Sequence, residues 1–304
     1  MITERRKRIF KENLSGYGFL LPYIIIFSLF FIFPFIYGLI ISFFDWNFFN
    51  PDKTRFVGFD NYYKILFAKG ELYHMYFWTG LGRTVLFVVI SVPVLVIIPL
   101  LFSIAIDAQP KLYKLFRTIL FMPTVFSISA VILIWKWQLN TNGGFINSLL
   151  VKIGLKEIPF LLSQPWAWIS ILMVTVWWTM GTNMVILGAG LKNIDKQLYE
   201  AATIDGANRA QIFRHITIPS LAPQMLIVMI TTVLASFGLY GQPHLLTQGG
   251  PDFSTTVLMM RIIPLAYGPN ANPGVATSMA VMMGSLMIIV SITQAVIINR
   301  REKS

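Results

Sequence analysis

Cysteine is absent from all 304 residues. Disulfides, thiolate zinc sites, iron–sulfur clusters and cysteine nucleophiles are excluded with it. Charge is scarce: only 12% of residues are Asp, Glu, Lys or Arg, against about 25% in an ordinary soluble domain. That shortage argues against a disordered chain or a charge-laced coiled coil. The histidines are three, His74, His215 and His244, too far apart in sequence for a local metal motif. No GxxxxGK[ST] loop occurs, so any nucleotide that drives this chain binds elsewhere.

What the chain has is apolar sequence in long blocks. Hydrophobic residues make up 56%, and mean hydropathy is +0.67. A bilayer-crossing helix needs roughly 20 apolar residues. Blocks of about that length are read at Tyr17–Phe44, Leu81–Ile106, Thr118–Trp137, Trp166–Gly190, Pro223–Gly241 and Val275–Ile298. The expectation is an all-α polytopic membrane protein with six transmembrane helices. The first block is longer than a secretory apolar region and has no small-residue cleavage site, so a retained helix is expected. Pro93, Pro99 and Pro123 are compatible with membrane helices, where neighbours satisfy the freed backbone groups.

The net charge of +11 informs through its placement. Arg5, Arg6, Lys7, Arg8 and Lys11 precede the first block, and Lys111, Lys114 and Arg117 separate the second from the third. Lys192, Lys196, Arg209 and Arg214 lie between the fourth and fifth, and Arg300, Arg301 and Lys303 close the chain. With six spans these fifteen cations share one side, and the other side holds nine. Both termini and the segment 191–222 are therefore assigned to the cytoplasm. The implied organisation is a cytoplasmic tail 1–16, a first helix and outer loop 17–79, a five-helix core 80–299 carrying loop 191–222, and a tail 300–304. Trp46, Trp135, Trp137, Trp166 and Trp168 fall near outer span ends, where headgroup anchoring is the simplest reading. Ala276, Ala280 and Gly284 form a small-residue stripe suited to helix packing.

Every Asp and Glu falls outside the middle of a block, and Arg83 and Lys136 sit at outer ends. Ion-coupled carriers usually keep ionisable relays within the membrane, so that class is weakened. The fourth block does hold Trp177, Trp178, Thr179, Thr182 and Asn183, and the fifth ends with Ser236, Gly238, Tyr240, Gly241 and Gln242. Asn183 serves either an interhelical hydrogen bond or the wall of a wet pathway. Asn183, Ser236, Tyr240 and Gln242 are the pathway candidates, because aromatic faces beside amides and hydroxyls suit a sugar.

The cytoplasmic loop is strongly patterned. Asp195 is placed to N-cap a short helix with Leu198, Ala201, Ala202 and Ile204 on one face. Asp205-Gly206 reads as its stop, and a second helix with Ile212, Phe213 and Ile216 on one side should end at Ile218-Pro219. On physical grounds this is a helix–turn–helix at the membrane surface, and an amphipathic staple is its plain reading.

Glu200-Ala201-Ala202, Gly206 three residues on, and Ile216-Thr217-Ile218-Pro219 after nine more resemble the EAA-x3-G-x9-I-x-L-P motif. That motif belongs to permease subunits of binding-protein-dependent ABC importers, and Ile218 in place of Leu is the one departure. Leu20-Leu21-Pro22, Pro34, Ser42-Phe43-Phe44-Asp45-Trp46 and Phe56-Val57-Gly58-Phe59-Asp60-Asn61-Tyr62 are similar to the start of sugar-type permeases. Thr247-Gln248-Gly249-Gly250-Pro251, with Thr255, Thr256 and Leu258, resembles the family's last outer loop, with Gln248 where Gly is commoner. The likeness points to the carbohydrate branch, on its maltose and glycerol-phosphate side; lipid, peptide-like and polyol cargoes belong to related permeases.

The resemblance implies a type I ABC importer transmembrane domain in a bacterial cell membrane, with no catalytic, metal or cofactor site of its own. Glu200, Ala201, Ala202, Asp205, Gly206, Ile216 and Pro219 would couple it to two ATPase subunits that bind ATP and Mg. A second permease would complete the sugar pathway, and a solute-binding protein would dock on outer loops such as 45–79 and 242–274. Nucleic acid is not an implied partner. The competing class is an ion-gradient-coupled carrier of a small polar solute; a membrane scaffold or enzyme is a third, without a nucleophile–base or metal constellation to support it.

Overall fold

The computed structural model describes residues 19–47, 52, 54–269 and 271–302, with side chains to residue 297. The cations read in the amino-terminal tail, Lys53 and Lys303 lie outside the described residues, as do the side chains of Arg300 and Arg301. The chain forms two compact units.

The first unit comprises residues 1–73 and 262–281. Helix α1 (Phe19–Ile41) is apolar all round and only 6% buried within the chain, so its surface is left for lipid or another subunit. Pro34 has no N–H to give, and a π turn at Ser28–Ile32 precedes it, in which Phe33 N–H reaches Ser28 O. Strands β1 (Phe44–Asp45) and β2 (Arg55–Phe56) then pair antiparallel, a small hairpin in an otherwise helical chain. Asn61, at the start of α2 (Asp60–Leu66), donates to the carbonyls of Ser42 and Phe44 at 2.9 and 3.0 Å. Ser278 donates to Ser42 O at 2.9 Å, and Gly274 is required because a Cβ would strike the Phe44 carbonyl. Trp46 packs edge-on against Tyr37 and Phe44.

The second unit comprises residues 74–261 and 282–304. Helix α3 (Leu72–Asp107) starts well before the expected block and contains Pro93 and Pro99. At 1.5 Å per residue its 36 residues span about 54 Å, beyond the ~30 Å hydrocarbon core. Helix α4 (Tyr113–Phe121) runs through a 3-10 turn at Met122–Val125 and meets α5 (Ile128–Gln138) at 103°. The single span expected at Thr118–Trp137 is therefore broken. Phe126 is extended, and Ser127 N-caps α5 by accepting from Ala130 N–H. Short α6 (Phe145–Lys152) leads to α7 (Trp166–Lys192), a continuous span.

Helices α8 (Lys196–Ile204) and α9 (Arg209–Ser220) form the loop, and α9 meets α10 (Ala222–Phe237) at 67°. Helix α11 (Met259–Tyr267) and the long α12 (Pro273–Glu302) complete the chain. Among the described residues four helices are thus long and apolar enough to cross a membrane on their own, and the count reaches six when each bent pair is taken as one span.

The core lies where α3, α5, α7 and the 239–257 segment meet, around Phe87, Val131, Ile171, Val174, Leu239 and Val257. Trp135 and Trp168 pack against this cluster, whereas Trp137 is exposed as an interfacial anchor would be. The expected small-residue stripe packs nothing along most of its length: Ala276 is buried, Ala280 is exposed, and open space surrounds Gly284.

Gly181 of α7 marks a close helix approach, because a Cβ there would lie 2.8 Å from Phe121 Cα and 2.9 Å from Leu120 O. Gly181→Val should force α4 and α7 apart and lower stability by about 1–3 kcal/mol in thermal unfolding of the detergent-solubilised protein. Gly188→Ala, facing open space on the same helix, should leave the midpoint unchanged. Equal midpoints for both variants would contradict the contact.

Candidate functional site

The loop is built by local chemistry. Asp195 caps α8 by accepting from Gln197 N–H at 2.9 Å, as its position predicts. At the other end Ala207 N–H bonds Ala202 O and Gly206 N–H bonds Thr203 O, with Gly206 at φ +79°. This pair of bonds is the Schellman arrangement, and its left-handed residue explains the glycine. Asn208 then opens α9 with a capping box: Gln211 N–H donates to Asn208 Oδ1 at 3.0 Å, and Asn208 N–H donates to Gln211 Oε1 at 2.7 Å. The Asn-x-x-Gln spacing is the sequence signature of that box.

The second helix runs through a π turn at Phe213–Thr217 and stops at Ser220, one residue past Pro219, as the Ile218-Pro219 pair predicts. The apolar residues of the α8 face are left uncovered by this chain: Leu198, Ala201 and Ile204 are exposed, Ile204 by 86%. It is Tyr199 that holds α8 down. Its ring packs with Ile216 and Ile218 onto Leu187, Leu191, Leu221 and Val228, and its hydroxyl lies 3.2 Å from Thr217 Oγ1.

The seven coupling candidates divide between two places. Ala202, Asp205, Gly206 and Ile216 line a shallow hollow of about 340 Å³ between the two short helices, beside Gln211 and His215. Glu200, Ala201 and Pro219 are exposed outside it. The surface is open, with a carboxylate at Glu200 and apolar Ile204 near it in sequence.

All four pathway candidates line one cavity of about 430 Å³. Asn183 donates to Leu95 O of α3 at 2.9 Å and to Thr232 Oγ1 of α10 at 3.0 Å. Leu95 O is the carbonyl that residue 99 would bind in an unbroken helix, and Pro99 has no N–H to offer. Asn183 therefore fills a vacancy that proline creates, and this interhelical bond places it in the wall of the cavity. Ser236 accepts from Ser91 at 3.1 Å, Tyr240 stacks on His244 with centroids 4.8 Å apart, and Gln242 is buried. Gly241 has no Cβ because Ile128 Cδ1 occupies its place.

Sequence reasoning left out Thr175, Thr231, Thr232 and Phe87, which also line the cavity, and did not choose Trp178, Thr179 and Thr182. Thr175, Thr179 and Thr231 donate to carbonyls one turn back, which satisfies their hydroxyl protons within their own helices. Among the described residues the lining holds no Asp, Glu, Lys, Arg or His.

A second cavity of about 250 Å³ is lined by Lys136 of α5, Asn140, Thr141 and Gln248, with leucines between them. Gln248 holds a left-handed conformation at φ +53°, which costs a non-glycine residue about 1–2 kcal/mol.

Residues 65–303 match the sequence profile described as the binding-protein-dependent transport system inner membrane component. The chain belongs to that family. A probable ABC transporter permease protein, YurN of Bacillus subtilis, is 30% identical over 93% of this chain and 96% of its own length. The lactose transport system permease protein LacF of Rhizobium radiobacter is 31% identical over 84% of each chain. A bacterial ABC transporter involved in alginate import has a chain with TM-score 0.83 at 23% identity, covering 97% of this chain and 99% of that one, which shows the fold. The fold is the type I importer permease, the location is the inner membrane, and the chain is a transport subunit rather than an enzyme. Membership of this binding-protein-dependent family sets aside the ion-gradient carrier.

The Asn183 junction makes a double-mutant test available. Asn183→Ala should cost about 1–2 kcal/mol in detergent unfolding, because Leu95 O loses its donor. The cost should shrink when Pro99→Ala restores a backbone donor to that carbonyl. An unchanged cost in the Pro99→Ala background would contradict the junction.

Proposed function

We propose that this chain forms half of a translocation pathway for a neutral sugar or oligosaccharide, moved by separate ATPase subunits that grip loop 191–222. The observation that carries the substrate class is the lining of the larger cavity. Its hydroxyls, amides and indole ring, without one charged side chain, match a solute with many hydroxyls and apolar C–H faces. Relatives named for lactose and for arabinooligosaccharides support the same class.

In this reading both termini and loop 191–222 face the cytoplasm, and a second permease supplies the facing half of the path. ATP and Mg reside on the two ATPases, and an external solute-binding protein delivers the saccharide. ATP-driven approach of the ATPases moves α8 and α9, and hydrolysis lets them return. The loop is stiff enough to transmit that motion: both its helix ends are capped, and Tyr199, Ile216 and Ile218 fasten it to α7 and α10. The bundle then alternates as rigid bodies, provided that ATP and the binding protein favour the same state.

Glu200→Lys places a cation on the exposed docking face without disturbing any buried group. It should leave membrane insertion intact, abolish co-purification of the ATPases and reduce saccharide uptake at least tenfold, about 1.4 kcal/mol of coupling. Gly206→Val should act likewise by breaking the left-handed turn, and Gly206→Asn, which tolerates that conformation, should retain most uptake. Normal uptake in the Glu200→Lys protein would refute the docking role.

A further inference from the structure

The smaller cavity has no part in the function described above, yet it is well built. Lys136, Asn140 and Gln248 bring one ammonium and two amides to its wall beside three leucines. Lys136 has a single long contact, 3.5 Å to Leu245 O, and no ion pair among the described residues. Gln248 keeps a strained backbone while its exposed side chain borders the same space. Strain that persists at a cavity wall points toward use.

The wall is also rigid. Asn147, 1% exposed, donates to Asn140 O at 3.1 Å and to Ile158 O at 2.9 Å, and accepts from Ile158 N–H at 2.8 Å. Those bonds pin the turn that presents Asn140 and Thr141. Thr247 is held by Pro243 O and by Thr255 Oγ1, which steadies the turn before Gln248.

The two cavities share their framework. Ile128 of α5 borders the larger one and Lys136 the smaller, eight residues or about 12 Å along one helix. The segment after α10 borders the larger at Leu239 to Gln242 and the smaller at Leu246 to Gln248.

We propose that the smaller cavity is a second saccharide site, an outer station at which the Lys136 ammonium and the Asn140 and Gln248 amides hold sugar hydroxyls before the solute moves to the uncharged cavity. Leu161, Leu162 and Leu246 offer the apolar surface that a pyranose or furanose C–H face needs. One ammonium among neutral groups orients hydroxyls without demanding an anion. This inference rests on the saccharide reading of the larger cavity.

The natural absence of cysteine makes a clean test. Single variants Gln248→Cys for the station, Ala235→Cys for the larger cavity and Asn142→Cys for the same outer loop outside both are placed in the detergent-solubilised full importer. Maleimide labelling rates are read with and without saturating lactose or mixed arabino-oligosaccharides. Labelling at Gln248→Cys and at Ala235→Cys should each slow about tenfold, with Asn142→Cys unchanged. Protection at Ala235→Cys alone would overturn the station while leaving the saccharide pathway standing. Protection at neither would overturn the saccharide reading and the station with it. Equal protection at Asn142→Cys would trace the effect to coverage of the whole outer face, and would also overturn the station.

Discussion

One amide ties the permease together. Pro99 deprives Leu95 O of its helical donor, and Asn183 supplies the replacement while binding Thr232 with its other N–H. A carbonyl left unpaired at that depth would cost a few kcal/mol, so α3, α7 and α10 are obliged to meet at that point. The proline that would merely weaken a soluble helix acts here as a specifier of which helices pack together. The same junction sets part of the cavity wall, which Asn183, Leu95 and Thr232 all line.

The helices gathered there also carry the cluster that anchors the loop. Val96 and Leu100 of α3, Leu187 and Leu191 of α7, and Val228 of α10 enclose Leu221, and Tyr199, Ile216 and Ile218 of the loop pack on them. The proposed path wall and the loop 191–222 are therefore carried by the same three helices. A push on α8 has no soft element to be lost in, because the turn after it is closed by the Gly206 bonds and the Asn208 capping box. Function in this chain is mechanical, which is why an ionisable catalytic group is not needed in the cavity.

The features legible in sequence were those decided locally. Asp195, Asp205-Gly206 and the two short helices could be read because caps and left-handed turns involve residues a few positions apart. Asn183, Ser236, Tyr240 and Gln242 stood out because amides and aromatics are rare in apolar blocks, and all four border one cavity. Long-range geometry was not legible. The 103° break at Phe126–Ser127 looks like ordinary apolar sequence, since Pro123 alone does not say whether a membrane helix bends or stops. Thr231 and Thr232 are indistinguishable by pattern, yet one bonds its own helix and the other receives Asn183. The exposure of Leu198 and Ile204 could not be foreseen either, because an apolar helical face does not announce whether its own chain or another covers it.

That uncovered face leads to the most direct measurement. A photo-crosslinking residue at Ile204, 86% exposed on α8, should capture an ATP-hydrolysing subunit when the importer is irradiated in native membranes. The account predicts a single dominant adduct of that kind, lost on Glu200→Lys. Adducts confined to lipid or to an external protein would contradict the claim that this loop is where the motor takes hold.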